Sequence, residues 1–138
     1  MSKKNKQPDS NTSFDCPCQS GLSFQQCCQK FLSLSSLPET AEQLMRSRYS
    51  AYVLHNENYL LNTWHPKHRP EALQLQGSSN QWLGLKIKAT QKGQKNDHEG
   101  YVHFIARFKV NGKAHKLTEN SFFEKINGQW FYTKGDIS

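Results

Sequence analysis

The chain has 138 residues, a formal charge of +7 and four cysteines. This length suits one compact domain with a small appendage. Residues 1–13 carry three lysines and no apolar run, so we expect a disordered basic tail, with contact to acidic surfaces as the alternative. No apolar stretch is long enough for a secretory signal or a membrane span, and we therefore expect a cytoplasmic protein.

The first chemically informative stretch holds all four cysteines within thirteen residues: Cys16, Cys18, Cys27 and Cys28. Four thiolates this close can bind one tetrahedral ion, whereas so short a segment cannot bury enough apolar surface to fold alone. Zinc typically contributes about 10–16 kcal/mol to such a unit. The pattern therefore predicts a zinc knuckle over residues 14–32.

Three other interpretations of these cysteines remain open. Disulfides would need an oxidising compartment, and a bond between the neighbours Cys27 and Cys28 would be strained. A redox or catalytic thiol would need a basic residue inside the loop, and the loop has none. The last interpretation is four unrelated buried cysteines.

The segment CPCQSGLSFQQCC (16–28) resembles the SEC-C motif, the zinc-binding tail of the SecA translocation ATPase. The two share eight positions: Cys16, Pro17, Cys18, Ser20, Gly21, Phe24, Cys27 and Cys28. Cys28 replaces the usual histidine of SecA with another accepted ligand, and Gln19 stands where the motif commonly has glycine. Since the SecA tail binds partners, the resemblance implies zinc and a protein-docking role.

Residues 33–37 resemble a linker, and helical patterns follow. Pro38 is predicted to begin a helix that runs to about His55. A shorter helix is predicted after residues 56–58, ending at His65, and one or two helical turns within residues 70–75. Arg48 lies at the edge of the first helix's apolar stripe, where it could extend to solvent. His65 and His68 have no third ligand nearby in sequence, which disfavours a second metal site.

From Gln81 onward the pattern alternates. Leu83, Leu85, Ile87 and Ala89 are predicted to share one side of a strand. Two Asn-Gly pairs, at 111–112 and 127–128, each lie between alternating runs and predict β-hairpins. Helices followed by an antiparallel sheet indicate an α+β fold.

Several segments resemble the YchJ family: LMRSRYSAYV (44–53), TWHP (63–66), WLGL (82–85), FIARF (104–108) and GQWFY (128–132). The resemblance implies that residues 38–138 form a cone-shaped domain of the nuclear transport factor 2-like type, with the SEC-C motif in front. Many family members carry a second SEC-C motif at the C-terminus, and these 138 residues contain none. Where the family often has ERSRF, this chain has ENSFF (119–123). No established activity accompanies the resemblance.

Tight Asn-Gly turns predict a register in which Val110 pairs with Lys113. Further pairs follow outward along both strands: Phe108 with His115, Ala106 with Leu117, Phe104 with Glu119, and Val102 with Ser121. This side is mostly apolar, and Phe123, Trp130 and Tyr132 extend it, so we expect the helices to cover it. The reverse face is mixed and basic: Tyr101, His103, Arg107, Lys109, Lys116, Asn120, Phe122 and Phe131.

Glu119 falls on the helix-covered face of this register, where an unpaired carboxylate would be costly. We expect Arg48 to pair with it, near Ser121, Tyr52 and His115. The alternatives are a ligand or catalytic site and a register slip that places Glu119 on the open face. The predicted pocket residues are polar or aromatic: Arg48, Tyr52, Trp64, His65, Phe104, His115, Glu119, Ser121 and Trp130.

Three classes of function are compatible with these features. We favour a zinc-binding interaction module whose knuckle docks on a protein or ribosomal partner. The alternatives are an enzyme or small-ligand binder that uses the cone's interior, and RNA binding through the basic sheet face. Residues 86–116 hold eight lysines and arginines against two acidic residues, which a solvated face also explains. A homodimer through the sheet is compatible, and we expect knuckle and cone to fold independently.

Overall fold

The computed structural model describes residues 14–73, 75 and 80–137; the predicted tail at 1–13 lies outside this part. Within these described residues, three helices precede a four-stranded antiparallel sheet with the order β1-β2-β3-β4. This confirms the predicted α+β fold. The elements are α1 (Gln29–Leu32), α2 (Ala41–Val53), α3 (Glu57–Asn62), β1 (Asn80–Lys92), β2 (Glu99–Val110), β3 (Lys113–Ile126) and β4 (Gln129–Ile137).

Helix α2 begins at Ala41, not at Pro38 as the sequence suggested. The residue before it, Thr40, is extended, and its Oγ1 accepts a hydrogen bond from the Gln43 amide at 3.1 Å. That side chain satisfies a backbone donor that the first helical turn leaves free, so it determines where the helix starts. The described residues contain no helix long and apolar enough to cross a membrane.

Helix α3 also ends earlier than predicted, at Asn62 rather than His65. The Thr63 hydroxyl donates back to the Tyr59 carbonyl at 2.7 Å, and Trp64 then forms a bridge with Tyr132 of β4. Pairing with the sheet therefore replaces the last predicted helical turn.

The turns predicted within residues 70–75 are also absent from the described residues there. The Leu73 amide instead donates to the Glu57 side chain at 3.1 Å. A tertiary hydrogen bond thus takes the place of the local one that a helix would use.

The two hairpins form as predicted. β2 and β3 pair with the expected register, from Val110 opposite Lys113 to Val102 opposite Ser121. Asn111 and Gly112 have φ angles of 52° and 79°, and the second Asn-Gly pair has 52° and 81°. Positive φ at both central residues is the geometry of the type I′ turn that holds a two-residue hairpin loop.

Strand β1 departs from the simple alternation predicted for it. Register shifts occur between Trp82 and Gly84 and again between Ile87 and Ala89. Because each shift inserts an extra residue, it reverses which face the following side chains occupy. Leu83 is consequently 40% exposed and Ala89 is exposed, whereas Leu85 is buried. The prediction that these residues share one side of the strand is therefore wrong. Trp82 instead lies opposite Phe108 on the inner face.

The core lies between α2 and the inner face of the sheet. Its most deeply buried large side chains include Trp130, Phe123, Leu44 and Leu60. The Trp130 indole donates to the Glu39 carbonyl at 3.0 Å, which ties β4 to the segment before α2. The predicted helix-covered face is therefore confirmed.

The N-terminal cysteine segment packs against this core rather than standing apart from it. Its four cysteines belong to the same cluster of buried residues as α2 and the sheet. Arg46 Nη1 of α2 donates to the Cys18 carbonyl at 3.1 Å, and the Gln19 side chain donates through Nε2 to the Leu83 carbonyl at 3.3 Å. The boundary between residues 14–32 and 38–138 remains a prediction, but these contacts favour coupled rather than independent unfolding.

The cap of α2 gives a simple test of the fold. We expect Thr40→Ala to lower the free energy of unfolding by about 1 kcal/mol, because the Gln43 amide loses its acceptor. Thr40→Ser keeps a hydroxyl and should remain close to wild type. Urea denaturation of metal-loaded protein measures both variants, and equal losses in the two would contradict the assignment of the cap.

Candidate metal centre and interior pocket

The four cysteine sulfurs converge as predicted. The Sγ atoms of Cys16, Cys18, Cys27 and Cys28 all lie within 4.8 Å of one another. The Cys18–Cys27 and Cys27–Cys28 sulfur separations are 3.6 and 3.9 Å. A tetrahedral zinc ion with Zn–S bonds of about 2.3 Å places its sulfurs about 3.8 Å apart. The cluster therefore fits one zinc ion, and none of these cysteines forms a disulfide.

The loop between the two cysteine pairs explains how they meet. Asp15 and Ser23 form a short antiparallel bridge, and the Cys16 amide donates to the Leu22 carbonyl at 3.0 Å. Gln19 has a φ angle of 62°, a left-handed conformation that glycine adopts without strain. This geometry explains why glycine is common here in the SEC-C motif.

Gln19 makes a contact that glycine could not make. Its side-chain amide donates to the Leu83 carbonyl of β1. A Cβ atom on neighbouring Gly84 would come within 2.7 Å of the Gln19 amide oxygen, so a glycine at position 84 leaves room for this side chain. The departure from the motif thus adds a link between the cysteine segment and the sheet.

Three polar side chains surround the sulfurs. Ser20 Oγ donates to Cys27 Sγ at 3.2 Å, and Ser50 Oγ lies 3.6 Å from Cys16 Sγ. Arg46 Nη1 lies 3.8 Å from Cys18 Sγ while its Nε donates to Glu42 at 3.0 Å. Hydrogen bonds to thiolates disperse their negative charge, and such neighbours orient metal ligands.

The charges inside the cluster depend on one another. Hydrogen bonds from the Cys18 and Cys28 thiols lower the pKa of Cys16, and the bond to Cys16 raises the pKa of Cys28. Burial raises the pKa of Cys27 to about 11. A metal ion among the sulfurs would replace these thiol protons, because zinc binds deprotonated cysteines.

Sequence reasoning did not identify Arg46 and Ser50 as neighbours of the metal ligands. Glu42, Arg46 and Ser50 follow one another at intervals of four, so they lie on one face of α2. That spacing was a readable signal for a polar helix face. What it could not show was that the cysteine segment covers this face.

A second candidate site is a cavity of about 320 Å³ between α2 and the inner face of the sheet. Six predicted pocket residues line it: Arg48, Tyr52, Trp64, Phe104, Glu119 and Ser121. Sequence reasoning missed others on its wall: Met45, Tyr49, Asn80, Trp82, Ala106, Leu117 and Tyr132. The β1 register shift brings Trp82 inward, which a simple alternation could not foresee.

Three predicted pocket residues lie elsewhere. His65 Nε2 is 3.7 Å from the Glu124 carboxylate, and the His115 ring stacks on Phe108 at 5.4 Å. Trp130 is in the core. The His65 and His68 rings are 5.3 Å apart, but within the described residues only the four cysteines form a group of three or more ligands close enough to share an ion.

Arg48 is buried, with 3% of its surface exposed, so it does not extend to solvent. Its Nη1 donates to the Leu60 carbonyl at 2.8 Å and to Thr63 Oγ1 at 2.7 Å. The guanidinium carbon lies 5.1 Å from the Trp64 ring centroid and 4.6 Å from that of Tyr132. Burial lowers the pKa of Arg48 from its ordinary value.

The predicted ion pair between Arg48 and Glu119 is wrong, since no N–O distance between them is within 4.0 Å. The C-terminal end of α3 holds the guanidinium instead. The Glu119 carboxylate accepts hydrogen bonds from Ser121 at 2.5 Å and Tyr132 at 3.4 Å. Burial, followed by the Glu119 charge, raises the pKa of Tyr132. Gly135 leaves the space that Glu119 occupies.

The reverse face of the sheet carries exposed basic residues, among them Arg107, Lys109 and Lys116. The Tyr101 and Phe122 rings lie 4.9 Å apart on the same face and are partly buried. RNA contact and dimer formation through this face remain predictions.

Metal content tests the cysteine cluster. Protein purified without an affinity tag should contain about one zinc per chain, because its four thiols form one tetrahedral set. The same thiols should react with an alkylating reagent far more slowly in native protein than in denatured protein. Equal rates in the two states would rule out the metal centre.

Removal of the metal should also destabilise the cone. Because Cys16 and Cys18 contact Ser50 and Arg46 of α2, we expect chelation to lower the midpoint of the cone's thermal transition. Near-ultraviolet circular dichroism reports this transition through Trp64, Trp82 and Trp130, and added zinc should restore it. A cone transition that chelation leaves unchanged would show that the two parts unfold independently.

Comparison with known proteins identifies the family. Residues 40–135 match the family model described as the YchJ middle NTF2-like domain. A UPF0225 protein of Chromobacterium violaceum is 47% identical over 126 residues, covering 89% of this chain and 93% of its own. A UPF0225 protein of Ralstonia nicotianae is 42% identical over 134 residues, covering 89% of this chain and 91% of its own.

Two solved structures are similar over most of the chain. A SEC-C motif containing protein from Rhodopseudomonas palustris has a TM-score of 0.80 at 29% identity, covering 91% of this chain and 99% of that one. Another SEC-C motif containing protein, from Psychrobacter arcticus, has a TM-score of 0.73 at 29% identity, covering 89% of this chain and 82% of that one. With its cysteine cluster and NTF2-like domain, this chain belongs to the YchJ family.

Proposed function

We propose that the protein is a cytoplasmic zinc-binding interaction module that docks a protein or ribosomal partner beside its metal centre. The observation that carries this proposal is the convergence of four sulfurs at separations that suit one zinc ion. Reduced cysteines are typical of the cytoplasm, where disulfides are rare. The two similar solved structures are of SEC-C motif containing proteins, which supports a SEC-C segment in this protein.

The surface beside the metal centre has the composition of a docking site. Phe14, Leu22 and Leu83 are 50%, 49% and 40% exposed. The Phe14 ring stacks on Phe24 at 5.0 Å, which holds it in place. Phe14 and Leu22 belong to the cysteine segment, and the Gln19 side chain bonds to the Leu83 carbonyl. Exposed apolar side chains near a structured site typically mark interaction with other proteins.

A groove of about 530 Å³ lies between the cysteine segment and the cone. Cys16 and Gly21 line one side, and Tyr49, Trp82 and Leu83 line the other. A bound metal would fix the first side relative to the second. A surface ordered in advance loses less conformational entropy when a partner binds.

Charge favours an acidic or ribosomal partner. The chain carries a formal charge of +7, and zinc with four thiolates contributes −2. The balance stays near +5, which accelerates association with a negatively charged partner.

Two single variants, each of which replaces an exposed apolar residue by aspartate, test the docking surface. Leu22→Asp should reduce partner retention in a pull-down by about tenfold or more, because it places a charge in an apolar contact. Ile137→Asp is the matched control, since Ile137 is 70% exposed at the end of β4. Both variants should keep the zinc content of wild type.

A second comparison tests whether the metal matters for docking. The double variant Cys16→Ser, Cys18→Ser should lose the same partners as Leu22→Asp. If both this double variant and Leu22→Asp retain the partners of wild-type protein, the proposed metal-held docking surface is refuted.

A further inference from the structure

The interior pocket contains two opposite charges that do not neutralise each other. Arg48 and Glu119 both line it, yet no ion pair within 4.0 Å joins them. Arg48 is buried, and a buried charge without a charged partner is costly. Glu119 is only partly buried and lines the same cavity. Each group is therefore available to a charged group of opposite sign on an occupant of the pocket.

The Arg48 guanidinium has unused hydrogen-bonding capacity. Of its nitrogens, Nη1 makes both hydrogen bonds recorded for this side chain within the described residues, to Leu60 and Thr63. Guanidinium offers five N–H donors, arranged to grip a carboxylate. Neither of these partners is charged, and the Trp64 and Tyr132 rings beside the guanidinium are also neutral. The positive charge therefore has no carboxylate in contact with it.

The Glu119 carboxylate is held in position but not neutralised. Ser121 and Tyr132 both donate to its Oε2 atom. Both donors are hydroxyl groups, so the negative charge remains and Oε1 has no partner within the described residues. An ammonium group on an occupant would supply the missing cation.

Aromatic rings form much of the wall between the two charges: Tyr52, Trp64, Trp82, Phe104 and Tyr132. The cavity of about 320 Å³ is at the lower end of the range for small-molecule sites, about 300–1,000 Å³. Tyr52, Trp82 and Glu119 are only partly buried, so the pocket reaches the surface. The space suits one aromatic ring with short substituents.

We propose that this pocket binds a small aromatic zwitterion, whose carboxylate pairs with Arg48 and whose ammonium pairs with Glu119. Such a ligand brings no net charge into the pocket and leaves neither side chain unpaired. A simple anion would face Glu119, and a simple cation would face Arg48. The site is separate from the metal centre and does not depend on the docking role proposed above.

Four probes test the proposal by calorimetric titration of the full-length, zinc-loaded protein. The zwitterions 3- and 4-(aminomethyl)benzoate differ in the spacing of their charges, and benzoate and benzylamine each carry one charge. At least one zwitterion should bind about tenfold or more tightly than either singly charged probe, a difference equivalent to ~1.4 kcal/mol.

The variant Glu119→Gln tests the role of the carboxylate. The glutamine amide oxygen can still accept from Ser121 and Tyr132, while the negative charge is lost. The affinity of the better zwitterion should fall to within about threefold of that of benzoate, because only the Arg48 contact remains. Glu99→Gln is the matched control: it removes the same charge from an exposed position on β2 and should leave all affinities unchanged.

Two results would overturn the proposal. One is that neither zwitterion shows saturable binding at millimolar concentration. The other is that benzoate or benzylamine binds as tightly as the better zwitterion. If near-ultraviolet circular dichroism shows that Glu119→Gln does not fold, the order of the four probe affinities on wild-type protein still tests the proposal.

Discussion

Negative charge concentrated on four converging sulfurs is the constraint around which the N-terminal part of this protein is built. Sulfurs within 4.8 Å of one another cannot all be thiolates unless a cation lies among them. The left-handed backbone at Gln19 and the hydrogen bonds from Ser20 and Arg46 serve this arrangement. A metal ion would therefore determine both the fold of the cysteine segment and how this segment packs against the cone domain.

Helix α2 connects the two candidate sites. Arg46 and Arg48 are two residues apart, so they point to nearly opposite sides of the helix. Arg46 contacts Cys18 of the metal centre, whereas Arg48 lies between the Trp64 and Tyr132 rings at the pocket. One short segment thus positions a cation at each site, and a displacement of the helix would alter both.

Features encoded within a few residues were predictable from the sequence. The Asn-Gly turns gave the register of β2 and β3, and the cysteine spacing gave the four clustered thiols. Features that depend on distant groups were not. The start of α2 depends on the Thr40 cap, and the inward position of Trp82 depends on a register shift in β1. The position of the Arg48 guanidinium depends on its hydrogen bond to the Leu60 carbonyl. The sequence pattern favoured an Arg48–Glu119 pair because the two residues have opposite charges and were predicted to share one face. The pattern does not reveal the hydrogen bonds from Arg48 to Leu60 and Thr63, which hold the guanidinium elsewhere.

X-ray absorption at the zinc edge tests the central claim most directly, because it reports the ligand atoms themselves. Native, untagged protein should show four sulfur neighbours at about 2.3 Å and no nitrogen or oxygen ligand. A spectrum with nitrogen or oxygen among the nearest neighbours, or with fewer than four sulfurs, would contradict a centre built from Cys16, Cys18, Cys27 and Cys28.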